Sequence, residues 1–159
     1  MNSNLPLADW LFSQGFPLQE QITISNSFRP AVQINDLIFV SSATPLRLDG
    51  TEIKGKVGSD VDLPTAKEAA CLCLAHSLSL LREVTGEPLD ERIVRAVDLT
   101  FFVNAIPTFD NHSEIADAGS NLLIGGIGSR GEHSRSAIGV GSLVRNVSVV
   151  LKAIYQIAI

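Results

Sequence analysis

Charge is scarce in this chain. Only 18% of its 159 residues are Asp, Glu, Lys or Arg, while 45% are hydrophobic. An average soluble protein carries roughly 25% charged residues, and a chain this apolar is not a disordered one. Basic residues are scarcer still: 12 Lys and Arg stand against 17 Asp and Glu, with no basic run. The resulting field opposes phosphate backbones, and one Trp and one Tyr offer little for base stacking, so no nucleic-acid partner is expected. Long hydrophobic runs are absent too. A membrane span needs about 18 consecutive apolar residues, whereas the uncharged runs Ala69 to Leu81 and Ala118 to Ser129 are shorter and broken by Ser, Gly or His. No charged start followed by an apolar core marks a signal peptide, so no membrane association and a cytoplasmic location are expected.

The chain has two cysteines and three histidines. Cys71 and Cys73 are two apart in a helical segment, so their side chains diverge by about 200° and neither chelate one metal nor bridge each other. They read as small buried residues. His76, His112 and His133 show no ligand spacing, and no HExxH or CxxC pattern is present, so no metal site is expected. Asn146-Val147-Ser148 spells a glycosylation acceptor that means nothing without a secretory route.

What is present is one domain's worth of patterned sequence, residues 1–159, with an N-terminal helical extension over 1–27 and a core over 28–159. Leu5 to Gln14 reads as a short amphipathic helix stopped by Gly15. Phe28 to Ile34 and Leu37 to Ser42 read as a hairpin about Asn35-Asp36, and Leu46 to Asp62 as a loop. Pro64 opens a helix with Leu74, Leu78 and Leu81 at helical spacing, and Gly86 stops it. Ile93 to Val103 alternates as a strand, Thr108 to Leu123 is a second helix, and Ser134 to Leu143 and Val147 to Ile159 are two closing strands. This order predicts an α+β sandwich with both helices on one sheet face. Alternation assigns Val147, Val149, Leu151 and Ala153 to the helix side, with Ile138 and Val140. It leaves Ser148, Val150, Lys152, His133, Arg135, Ala137 and Gly139 on the far face, with Phe102. That mixed face suits packing against another subunit, with a pocket at the seam.

Several residues invite chemistry. Gly126 to Gly131 spells GxGxxG, but it follows a helix and enters a strand, the reverse of a dinucleotide fingerprint, and reads as a flexible loop. His76 reads as a packed or partly exposed helical residue. Arg135 stands among Ser134, Ser136 and Ala137 in a glycine-rich segment that leaves room for a ligand carboxylate on the guanidinium fork. An intersubunit salt bridge to Asp98 or another acid is the competing account. His133, two residues before Arg135, shares its strand face and is either a site residue or a hydrogen-bonded interface histidine.

The segment Gly131-Glu-His-Ser-Arg135-Ser-Ala-Ile-Gly-Val-Gly-Ser-Leu143 resembles the signature of the Rid family, the reactive intermediate deaminases also called YjgF-like proteins. The resemblance points to the longer YjgF/chorismate mutase-like branch whose label carries an endoribonuclease assignment. Phe28-Arg-Pro-Ala-Val32, Asn35 to Ser42, Gly55-Lys-Val-Gly58, Ala69 to Cys73 and Phe102-Val-Asn104 extend it along the chain. It implies a chorismate mutase-like sandwich with a sheet of about six strands, two helices on one face and a short N-terminal helix. It further implies a homotrimer with ligand clefts between subunits, and hydrolysis of small carboxylated enamines or imines to 2-oxo acids and ammonia without a metal or organic cofactor. In active relatives an arginine matching Arg135 anchors the substrate carboxylate, and a glutamate on the last strand handles protons. Here the glutamate positions hold Val150 and Lys152, and valine can move no proton. A tyrosine of the relatives corresponds to Phe28, a glycine to Ser42, and an asparagine to Asp117 across a one-residue gap. Three readings follow: a deaminase whose proton step falls to His133 or Asp117, a condensing or cyclising enzyme using Lys152, and a trimeric ligand-binding protein that has lost catalysis. The charge balance argues against RNA as substrate, and chorismate mutase activity would rest on fold alone.

Overall fold

The computed structural model describes residues 5–20, 22, 27–86 and 88–159; residues 1–4, 21 and 23–26 of the N-terminal extension lie outside the described residues. Leu7–Ser13 forms α1, with Leu7 and Leu11 fully buried. Ala31–Ile34 (β1) and Leu37–Ala43 (β2) make the antiparallel hairpin, turning at Asn35 with φ +53°. Strand pairing begins at Ala31, so Phe28 precedes the strand and is exposed. The segment expected as a loop over 46–62 is tied down by isolated bridges, Leu46 to Glu52 and Lys54 to Val147.

Leu63–Thr85 forms α2. Asp62 caps it by accepting from the Thr65 amide at 2.9 Å, Pro64 occupies the first turn, and Gly86 at φ +78° ends it. Cys71 and Cys73 are buried free thiols inside it. Burial pushes the Cys71 thiol up to about 12 and raises that of Cys73 as well, so both are inert packing residues. After the single turn α3 (Leu89–Arg92) come β3 (Ile93–Asn104), α4 (His112–Ile127), β4 (Ser134–Val140) and β5 (Val149–Ile157). The second helix therefore starts and ends four residues later than expected, and Val147 stands outside the last strand. The continuation through Gly125 and Gly126 has a packing cause. A Cβ on either would come within 2.7 Å of Trp10, and one on Gly126 equally close to Leu7, so only glycine lets α1 dock there. The GxGxxG segment is thus helix followed by a 3-10 turn, Gly128–Gly131, rather than a flexible loop.

The strands form one sheet in the order β1-β2-β5-β3-β4. Among the described residues it has five strands, where about six were expected. All neighbours are antiparallel except β3 and β4, which α4 connects in parallel. The helices cover the face bearing Leu99, Phe101, Val103, Val149, Leu151, Ala153 and Tyr155, all fully buried.

The orientation of β4 differs from expectation. Parallel pairing sets Leu99 beside Arg135, Phe101 beside Ala137 and Val103 beside Gly139, so Arg135, Ala137 and Gly139 share the helix side. Ile138, assigned inward by its hydrophobicity, lies on the far face and is 41% exposed. The physical reason is space: α4 lies so close that the His112 ring takes the place of a side chain on Gly139. Only small residues, or an arginine that escapes at the sheet edge, are accommodated there.

Candidate functional site

Arg135 reaches from the edge strand β4 toward α4, where Asp117, Ser120 and Asn121 follow one another at helical spacing on one face. Its Nη1 donates to Asp117 Oδ1 and, at 3.4 Å, to Ser120 Oγ. Among the described residues no hydrogen bond is made by the Nε and Nη2 edge of the guanidinium. The Arg135 side chain is 24% exposed and that of Asp117 53% exposed, so this pair borders solvent. The 3-10 turn delivers His133 to the same place, with Nε2 3.0 Å from Ser120 Oγ and Nδ1 2.5 Å from the Gly131 carbonyl oxygen. Asp117, Ser120, Asn121, Ile124, Glu132, His133 and Arg135 together line an open cleft of about 380 Å³.

Three of the sequence candidates, Arg135, His133 and Asp117, are therefore brought together. The other four are elsewhere. Val150 and Lys152 lie on the far sheet face, with Val150 only 4% exposed and paired with Phe102, and Lys152 exposed beside Thr100. Ser42 sits exposed where β2 bulges between Val40 and Ala43, and Phe28 lies before β1. Arg135 and Lys152 are thus on opposite faces of their own sheet, which corrects the expectation that one face bears Arg135, Val150 and Lys152. Within the chain Asp98 accepts from Ser134 and Thr100 on the far face. Sequence reasoning missed Ser120, whose only signal was its position three residues after Asp117.

His76 stands apart, in a second cleft of about 610 Å³ shared with Gln19, Glu52 and Arg145. Its Nδ1 accepts from the Thr44 amide at 3.1 Å, and burial lowers its pKa below 6.5. Hydrogen bonding from the Arg145 guanidinium holds the Glu52 carboxyl below its ordinary 4.5. Among the described residues no group of His, Cys, Asp and Glu could hold a metal ion, and no helix is long and apolar enough to cross a membrane.

No family model matches the chain. Protein TCP17 of Trypanosoma cruzi is 30% identical over 121 residues, which make up 76% of this chain and 74% of that protein. Among solved structures, Atu1372 of Agrobacterium tumefaciens, of unknown function, has a TM-score of 0.87 and 30% identity over 96% of this chain and 94% of its own. A Shewanella oneidensis protein provisionally described as an endoribonuclease has a TM-score of 0.86 at 21% identity, covering 96% and 99%. YyfA of Yersinia pestis, described as a protein of unknown function of the conserved Rid protein family, has a TM-score of 0.60 at 18% identity, covering 84% and 90%. The last two likenesses speak for the fold.

Proposed function

The chain belongs to the YjgF/Rid family, the endoribonuclease L-PSP-like proteins, and on that premise we propose that it hydrolyses small carboxylated enamines and imines to 2-oxo acids and ammonia. The observation that carries this reading is the half-occupied guanidinium of Arg135. Asp117 and Ser120 hold Nη1 in place, and the Nε and Nη2 edge is left for a planar carboxylate, which pairs with it bidentately. A 2-imino acid anchored this way has its imine carbon one bond from the carboxylate, inside the cleft that Ser120 and His133 line. The proton step then falls to His133 and its neighbours, because Val150 supplies none.

The working assembly in this reading is a homotrimer with clefts between subunits. Val150 and Lys152 cannot meet Arg135 within one chain, since the sheet stands between them, and Ser42 lies on β2, with β5 and β3 between it and β4. A neighbouring copy that lays its far face against the β4 edge would complete the cleft. An RNA substrate is disfavoured by a net charge of −5.

The test supplies imines in situ from an amino-acid oxidase and follows 2-oxo acid release. The wild type accelerates release. Arg135→Ala loses about two orders of magnitude in kcat/KM, as expected for a charge-assisted pair worth roughly 3 kcal/mol. No acceleration by the wild type overturns the deaminase reading. If that inert protein is still stabilised by a 2-oxo acid in an Arg135-dependent way, it is a ligand-binding protein instead.

A further inference from the structure

The hydrogen bonds around His133 fix more than its position. The Gly131 carbonyl oxygen, 2.5 Å from Nδ1, can only accept, so the proton of the neutral imidazole resides on Nδ1. Nε2 is then the nitrogen with the lone pair, and at 3.0 Å the Ser120 hydroxyl must donate to it. The Ser120 oxygen consequently turns its own lone pairs away from the ring, one of them toward Arg135 Nη1 at 3.4 Å. Helical serines commonly donate to the carbonyl one turn back. Ser79 in α2 does so, to Ala75 at 2.7 Å, but Ser120 forms no such bond among the described residues. A hydroxyl donating to an imidazole, which is itself oriented by a third group, is the arrangement that activates an oxygen for proton transfer. The third group here is a backbone carbonyl, and the neighbouring cation is the candidate anchor of the substrate.

We propose that Ser120 and His133 act as a two-residue proton relay, taking the place of the carboxylate that Val150 cannot supply. The proposal rests on the deaminase reading and names its proton-handling groups. Starting from an iminium, a water oxygen bonds to the imine carbon and the π pair moves to nitrogen. One water proton passes to Ser120 Oγ while the Ser120 proton passes to His133 Nε2, leaving a carbinolamine and an imidazolium. The imidazolium returns its proton through Ser120 to the amine nitrogen. The carbon–nitrogen bond then breaks, its pair leaving on ammonia, and the hydroxyl proton goes back to the relay as the carbonyl forms. The released ammonia takes up that proton, so iminium and water become 2-oxo acid and ammonium.

The experiment compares wild type, Ser120→Ala and His133→Gln in the imine assay, with tautomer detection by nitrogen-15 NMR of histidine-labelled protein. Each variant is expected to lose about 10²-fold or more in kcat, and His133→Gln, which does not touch Arg135, should keep the Arg135-dependent stabilisation by a 2-oxo acid. The double variant should be no slower than either single one, because the two residues act as a unit. In the wild type, His133 should show the Nδ1–H tautomer. Full kcat in Ser120→Ala, additive losses in the double variant, or an Nε2–H tautomer each overturns the relay while leaving the deaminase reading intact. A wild type that hydrolyses no imine removes both.

Discussion

His76 shows how one buried residue ties stability to pH. Its Nδ1 lies 3.1 Å from the Thr44 amide and 3.2 Å from the Thr44 carbonyl oxygen, and burial disfavours the imidazolium against smaller opposing pulls from the Thr44 backbone and then Glu52, with a small contribution in the same sense from Arg145. Above pH 6.5 the ring is neutral in both folded and unfolded chains, and the fold keeps its full stability. As pH falls through 6.5 the unfolded chain takes up a proton that the folded one resists, so stability is lost until the lowered folded value is reached. Glu52 acts in a separate window: its depressed carboxyl favours the fold above 4.5 and loses that contribution below it. The melting temperature should therefore drop between pH 7.5 and 5.5, and His76→Gln, which can still accept from Thr44, should remove that part of the drop. Equal slopes for both proteins would contradict the assignment. Among single residues Arg135 was legible in the sequence because small neighbours isolated it. Ser120 was not, since a serine in a helix is unremarkable until the turn after α4 folds His133 back upon it.

Elements carry their own signals in uneven measure. Pro64 and Gly86 mark the two ends of α2 in the sequence and the structure uses both as marked, while Asp62, read as the end of the preceding loop, serves as the N-cap. Asp62→Ala should cost about 1 kcal/mol in denaturant unfolding while Asp62→Ser costs little; equal losses would mean that the Thr65 hydrogen bond does not matter. Packing between α4 and β3 depends on Gly119, where a Cβ would lie 2.7 Å from Phe101 and 3.3 Å from the Ala70 carbonyl oxygen. Gly119→Ala is expected to destabilise by about 1–3 kcal/mol through overpacking, and an unchanged unfolding midpoint would refute the close approach. The facing of β4 was the element that alternation misread. Hydrophobic residues mark the inner face of a strand only when the outer face is wet. Here the outer face is mixed, and the inner face must be small to admit α4, so Ile138 and Arg135 exchange the sides that their polarity suggests.

At the scale of the whole molecule, the far sheet face is the unfinished surface. Val32, Ile34 and Ile138 are 46%, 56% and 41% exposed there, alternating with Asp98, Thr100, Ser136 and Lys152. A face of this kind is ordinarily covered by another copy. Light scattering at micromolar concentration should find a trimer, and Ile34→Lys, a change at a position exposed in the lone chain, should yield a folded monomer. A monomeric wild type would contradict the intersubunit cleft. The sequence by itself determined the order of elements, the two ends of α2 and the family resemblance, because periodicity, turn residues and motifs are local properties of the chain. It also pointed to low charge and a mixed sheet face that needs covering. Only the tertiary structure decided which side of the sheet Arg135 occupies and that Asp117, Ser120 and His133 surround it. Register between β3 and β4, and the closeness of α4, are set by packing between segments far apart in sequence, and no local pattern encodes them.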